Sequence, residues 1–206
     1  GARGCRAGVK RMIFPASVGG AMQALNVVFV YGTLKRGLYN SKFLSSGAGA
    51  ALIGTAKTHT KLPLITDEYY VPYLLKMPGV GQQISGEVYA VSDEVLGKLD
   101  ELEGVPNYYI RERLPIKDLK LEMCEKRGTK LVEQLDALKP WVYMMPEERV
   151  TEEHLTKEFM AHYCPQQHFE NYIPRAQRSK KHISNNLTGV QVPPQAPHLA
   201  AQYLSV

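Results

Sequence analysis

One stretch of this chain carries a clear helical period, and almost every other apolar stretch is a short run of β character. In residues 92–104, SDEVLGKLDELEG, the side chains Val95, Leu96, Leu99 and Leu102 fall at helical spacing. Ser92 is a good N-cap, Asp93 and Glu94 suit the positive end of the helix dipole, and Gly104 supplies a stop. Before it come NVVFVY (Asn26 to Tyr31), residues 51–58 and 62–66, VPYLL (Val71 to Leu75) and QISGEVYAV (Gln83 to Val91), with Gly86 a candidate bulge. Pro78-Gly79-Val80-Gly81 reads as a turn. After the helix, Tyr108 to Ile116 and Trp141 to Met144 are again β-like, and residues 147–163 predict a second helix with Thr151, Glu152 and Glu153 near its start. Many strands around so little helix predict an α+β fold: a curved sheet or small mixed β-barrel with flanking helices.

The ends read as separate from this body. Residues 1–25 are rich in Gly, Ala and Arg and hold no acid, the composition of a mitochondrial transit peptide or of upstream sequence preceding Met22. Residues 176–206 are polar and punctuated by Pro193, Pro194 and Pro197, which predicts a tail around a domain spanning 26–175. The formal charge of +5 belongs to these ends. Four bases of the leader (Arg3, Arg6, Lys10, Arg11) and three of the tail (Arg178, Lys180, Lys181) leave residues 26–177 with 18 bases against 20 acids. That balance argues against a nucleic-acid surface on the body, and the aromatics do not alternate with a basic stripe. No apolar run approaches the ~20 residues of a membrane span. Cys5, Cys124 and Cys164 are too few and too scattered for a disulfide framework, so a reducing, cytoplasmic compartment is expected, or a mitochondrial one if the leader is a transit peptide. The sequon Asn186-Leu187-Thr188 lacks a secretory context.

Two features suggest chemistry. Glu103 lies on the helix stripe of Leu96 and Leu99, in the last turn. Desolvation and the negative end of the helix dipole would both raise its pKa toward the range a general acid/base uses. The other reading is a stripe that simply ends there, with the carboxylate turned to water. The second feature is the loop Tyr31-Gly32-Thr33-Leu34-Lys35-Arg36-Gly37, whose glycine-bounded backbone can present N–H groups to an anion. It is neither a Walker loop nor a dinucleotide fingerprint. His154, His162, Cys164 and His168 match no common zinc spacing, so no metal is expected. Cys124 has no evident base beside it. Tyr108, Tyr109, Tyr143 and Tyr172 read as packing residues.

Taken together, YGTLKRG (Tyr31 to Gly37), VPYLL, Pro78-Gly79, GEVYAV (Gly86 to Val91), LDELE (Leu99 to Glu103), Tyr109, Arg111, Trp141-Val142-Tyr143 and YIPR (Tyr172 to Arg175) resemble the γ-glutamyl cyclotransferase-like family, most of all its γ-glutamylamine branch. The resemblance covers about residues 27–175; residues 117–138 match poorly. It implies a small β-barrel with helices and a cofactor-free enzyme; a monomer is our own expectation. Such an enzyme would convert L-γ-glutamyl-ε-lysine, or a similar small γ-glutamyl amine, to 5-oxoproline and free amine. By position, Glu103 would be the general acid/base, and Tyr31, Gly32, Thr33 and Leu34 would hold the glutamyl group.

Overall fold

Strand β1 (Asn26–Val30) is apolar at nearly every position because it is covered on both faces. Val28 and Val30 join one buried cluster, with Val95, Leu96 and Leu99. Val27 and Phe29 join another, with Val88, Ala90, Val142 and Met144. The computed structural model describes residues 26–45, 49–122 and 139–178; the leader, Cys124, the sequon and the tail beyond Arg178 lie outside these.

Further strands follow as β2 (Ala50–Thr58), β3 (Leu64–Thr66), β4 (Pro72–Leu74), β5 (Ser85–Val91), β6 (Ile110–Arg113), β7 (Ile116–Leu121) and β8 (Trp141–Met144). Six of them form a mixed sheet in the order β6-β8-β1-β5-β2-β7, while β3 and β4 pair with each other. β1 runs antiparallel to β5, with Val28 opposite Tyr89, and parallel to β8, with Val28 beside Trp141. The α+β class is as expected. The sheet, however, is open: β6 and β7 are its two edges and do not pair among the described residues, so the expected barrel does not close. The β3–β4 pair is tied to the sheet where Met145 N–H donates to the Leu74 carbonyl and Lys76 N–H to the Met145 carbonyl. Among the described residues, no helix is long and apolar enough to cross a membrane.

The helix α1 (Asp93–Glu103) begins and ends where the sequence predicts. Ser92 Oγ accepts the N–H of Val95 at 3.3 Å. Gly104 takes a left-handed conformation, φ +66°, and closes a Schellman turn. In that turn Gly104 N–H donates to the Glu101 carbonyl and Val105 N–H to the Asp100 carbonyl. Val95, Leu96 and Leu99 are buried, each contributing about 1.5–3 kcal/mol of apolar burial.

Two expectations are corrected. Residues 147–163 do not make one helix: a 3-10 turn at Glu147–Arg149 and the single turn α2 (Glu152–Leu155) are followed by irregular chain, and α3 (Pro165–Asn171) begins beyond it. The irregular part gives its backbone to the strands instead: Met160 N–H donates to the Leu64 carbonyl, and the Ala161 carbonyl accepts Ser85 N–H. Gly86 is not a bulge either. It pairs in register with Ala56; one irregularity falls on β2, between Leu52 and Gly54 opposite β5, and another on β7, where Lys117 to Lys120 oppose Lys57 to Thr55. Glycine is required at 86 because a Cβ there would lie 2.5 Å from the Val30 carbonyl oxygen.

Candidate active site

A cavity of about 610 Å³ opens between the end of β1, the C-terminal end of α1, β4 and the segment 172–178. This is within the size range of small-molecule sites. Tyr31, Gly32, Thr33, Leu34 and Glu103, the five residues singled out from sequence, all line it.

Glu103 reaches the cavity because the Schellman turn ends the helix directly after it, at the foot of the apolar stripe. Its carboxylate makes no hydrogen bond or ion pair among the described residues. Tyr31 and Tyr109 are close enough for its charge to act on their phenols. Neither phenol serves it as a donor: Tyr31 Oη donates to the Tyr143 carbonyl at 2.9 Å, and Tyr109 Oη to the Pro72 carbonyl at 3.3 Å. Surrounded by protein and given no counter-charge, the carboxyl group is pushed up from its ordinary 4.5 to about 7, and burial is the cause. Burial also holds the Tyr31 and Tyr109 phenols neutral, well above their ordinary range. Of the two readings open from sequence, the structure thus shows a desolvated carboxyl facing a cavity.

The helix end is anchored by the acidic residue one turn back. Asp100 receives the Arg111 guanidinium at 2.8 and 2.6 Å and the Tyr143 hydroxyl at 2.7 Å. Arg111 in turn lies 4.8 Å from the centre of the Trp141 ring. β6, β8 and α1 are thereby tied together beside Glu103, and the Tyr31–Tyr143 bond extends the chain of contacts to β1.

The loop after β1 is folded on its carbonyls. Lys35 N–H donates to the Gly32 carbonyl and Asn40 N–H to the Thr33 carbonyl, while Asn40 Nδ2 donates to Thr33 Oγ1 at 2.9 Å. None of these bonds engages the N–H of Gly32, Thr33 or Leu34. Lys35 points away from the cavity, its Nζ donating to the Tyr163 carbonyl at 2.7 Å, and the Arg36 backbone N–H donates to Glu87 at 2.8 Å. Gly32 abuts β4: a Cβ there would lie 2.6 Å from Pro72 Cγ, so only glycine lets the loop approach this closely.

Tyrosines form much of the remaining wall, and the sequence suggests four of them, Tyr108, Tyr109, Tyr143 and Tyr172, only as packing. Tyr73, Tyr108, Tyr109, Tyr143 and Tyr172 all line the cavity. Tyr108 donates to Tyr73 at 3.3 Å, and Tyr73 to Asp67 at 3.0 Å. Residues 175–178 also reach the wall, so the structured body extends into what the sequence assigned to the tail. No pattern signalled this, since Ala176 and Arg178 sit in a polar, proline-containing stretch.

Among the described residues, His154 and His168 are held by neighbouring side chains and backbone: His154 Nδ1 accepts the Thr151 N–H at 3.0 Å. His168 is buried on α3, with Nδ1 2.8 Å from the Tyr163 hydroxyl and Nε2 accepting Tyr39 N–H. No group of three His, Cys, Asp or Glu side chains among the described residues is placed to hold a metal ion.

Residues 28–163 match the family model described as gamma-glutamyl cyclotransferase, AIG2-like. A Drosophila melanogaster protein provisionally named a gamma-glutamylcyclotransferase is 39% identical over 139 residues, covering 66% of this chain and 78% of that protein. The bovine gamma-glutamylaminecyclotransferase is 47% identical over 92 residues, which span 43% of this chain and 55% of that enzyme. The crystal structure of an AIG2-like protein from Mus musculus superimposes with a TM-score of 0.61 at 31% identity, covering 75% of this chain and 99% of the mouse protein.

Proposed function

The chain belongs to the gamma-glutamyl cyclotransferase, AIG2-like family, and from that premise we propose that it is a γ-glutamylamine cyclotransferase. It would convert L-γ-glutamyl-ε-lysine and related γ-glutamyl amines to 5-oxoproline and the free amine. The observation that carries this reading is Glu103: a carboxyl with no ion-pair partner, raised to about 7, facing the same cavity as the Tyr31–Leu34 loop.

The substrate enters as an α-ammonium, which has no lone pair to attack with. Glu103, about half ionised at neutral pH, takes that proton. The freed amine attacks the γ-carbonyl carbon and closes a five-membered ring, and the carbonyl oxygen becomes an oxyanion. Backbone N–H groups of the Gly32–Leu34 loop suit it as donors. As the oxyanion collapses, the old C–N bond breaks and protonated Glu103 gives its proton to the leaving nitrogen. The carboxylate so regenerated takes the surplus proton of the ring nitrogen and passes it to the departing amine, which leaves as an ammonium and frees Glu103 for the next turnover. One carboxyl near neutrality can perform both transfers; one with a pKa of 4 would be too weak a base toward an ammonium. Because nucleophile and electrophile share one molecule, most of the proximity advantage is present before binding, and what the protein adds is to hold the ring-closing conformer. On this reading the substrate is the isopeptide left when crosslinked proteins are digested, and the enzyme works in the cytoplasm.

Purified protein incubated with γ-glutamyl-ε-lysine should release 5-oxoproline and lysine in equal amounts. Glu103→Gln, which keeps the shape and removes the proton exchange, should lower kcat by at least about 10³-fold with an unchanged fold. Full activity in that variant would refute the mechanism. A preference for γ-glutamyl-alanine over the isopeptide would instead assign the enzyme to γ-glutamyl amino acids.

A further inference from the structure

The cavity has two chemically different ends. At the inner end are Glu103 and the Tyr31–Leu34 loop. At the other, the segment following α3 contributes Tyr172, Arg175 and Arg178. Arg178 is the cation held in place there. Its Nε donates to the Ile173 carbonyl at 2.9 Å, and its guanidinium lies 5.3 Å from the Tyr69 ring centre and 6.0 Å from that of Tyr172. The side chain is half-buried, yet no carboxylate among the described residues lies within ion-pair distance of it. Asp67, which feels its charge, is already occupied: it accepts the N–H groups of Tyr69 and Val71 and the hydroxyl of Tyr73. The other cations on the wall are placed differently. Arg175 is exposed, and Lys42 lies over the rings of Tyr39 and Phe43.

A guanidinium fixed by stacking, lacking a carboxylate partner and facing a ligand cavity is arranged to receive a carboxylate from the ligand. We propose that Arg178 selects the leaving group, binding the carboxylate of the amino acid released from the γ-glutamyl amide while the tyrosine wall receives its aliphatic stem. This rests on the cyclotransferase reading above. It adds that the enzyme favours amines bearing a carboxylate over simple alkyl amines or diamines.

γ-Glutamyl-ε-lysine and γ-glutamylcadaverine differ by that one carboxylate and share every atom of the glutamyl half. The wild-type protein should turn over the lysine compound with a kcat/KM about 10–100-fold higher, the range of one charge-assisted hydrogen-bonded contact. Arg178→Ala should bring the ratio toward one, Arg178→Lys should retain part of it, and Arg178→Glu should invert it in favour of the diamine-derived substrate. Thermal unfolding of each variant checks that the fold is intact. A wild-type ratio near one overturns the assignment, as does an equal loss on both substrates in Arg178→Ala. Equal loss would mean that Arg178 holds the glutamyl carboxylate or only the local fold. Turnover of neither substrate by the wild-type protein would instead bring down the cyclotransferase reading itself.

Discussion

Removing the charge of Glu103 should stabilise this protein, and only above a definite pH. In the unfolded chain the carboxyl ionises at about its ordinary value of 4.5, whereas in the folded protein burial moves it to about 7. Below pH 4.5 the group is neutral in both states and costs nothing. Between these values the unfolded chain is ionised while the folded protein is not, so each rise in pH favours unfolding. Above 7 both are ionised and the penalty is complete, at about 3 kcal/mol. Glutamine has nearly the same shape and never ionises. The stability gap between Glu103→Gln and wild type should therefore be near zero at pH 4.5 and widen to about 3 kcal/mol by pH 8, remaining level beyond. For a domain of this size that is on the order of 10 °C in Tm. Thermal denaturation of both proteins from pH 4.5 to 9 measures it directly. The same titration governs turnover, since the base must be ionised: wild-type kcat/KM should rise about fivefold between pH 6 and 7 and approach a plateau above pH 8. A stability gap that does not change across this interval would refute the argument, for it would mean that Glu103 is solvated. A gap that widens while kcat/KM stays level would separate burial from catalysis.

Two further substitutions test how the site is held. Gly32→Ala places a Cβ 2.6 Å from Pro72 Cγ, within a contact of two backbone-anchored groups. It should cost about 1–3 kcal/mol in denaturant unfolding and reduce kcat/KM more than Gly97→Ala on α1, where a Cβ would meet nothing within 4 Å. Arg111→Met removes the two hydrogen bonds to Asp100 while keeping much of the side-chain volume against Trp141. A loss of roughly 1–3 kcal/mol is expected, with kcat falling because the end of α1 is no longer tied to β6; unchanged kcat would show that Glu103 is positioned without Asp100.

The elements that could be read from sequence are those decided within a few residues. The limits of α1 follow from Ser92 bonding to Val95 and from the left-handed turn at Gly104, both local events with local residue preferences. The same locality placed Glu103 at the end of the Leu96–Leu99 stripe. The strands near 26–30, 50–58, 85–91 and 141–144 likewise announced themselves by apolar β-branched and aromatic runs. Residues 147–163 could not be read in this way. Their helical composition is outweighed by the bonds that Met160 and Ala161 make to Leu64 and Ser85, roughly 80 to 100 positions away.

The chemistry of Glu103 divides along the same line. Its place at a helix end belongs to the sequence. Its raised pKa required that Tyr31 and Tyr109 spend their hydroxyls on the carbonyls of Tyr143 and Pro72, leaving the largely covered carboxylate without a donor from either. Nothing local could foretell that, nor that Arg178, in a polar stretch after α3, would be stacked by Tyr69 at the same cavity. Hydrogen-bond partners and counter-charges are chosen among residues brought together from distant parts of the chain. The sequence alone therefore determined which side chains were capable of the chemistry, and the tertiary structure decided which of them were desolvated, unpaired and facing one another.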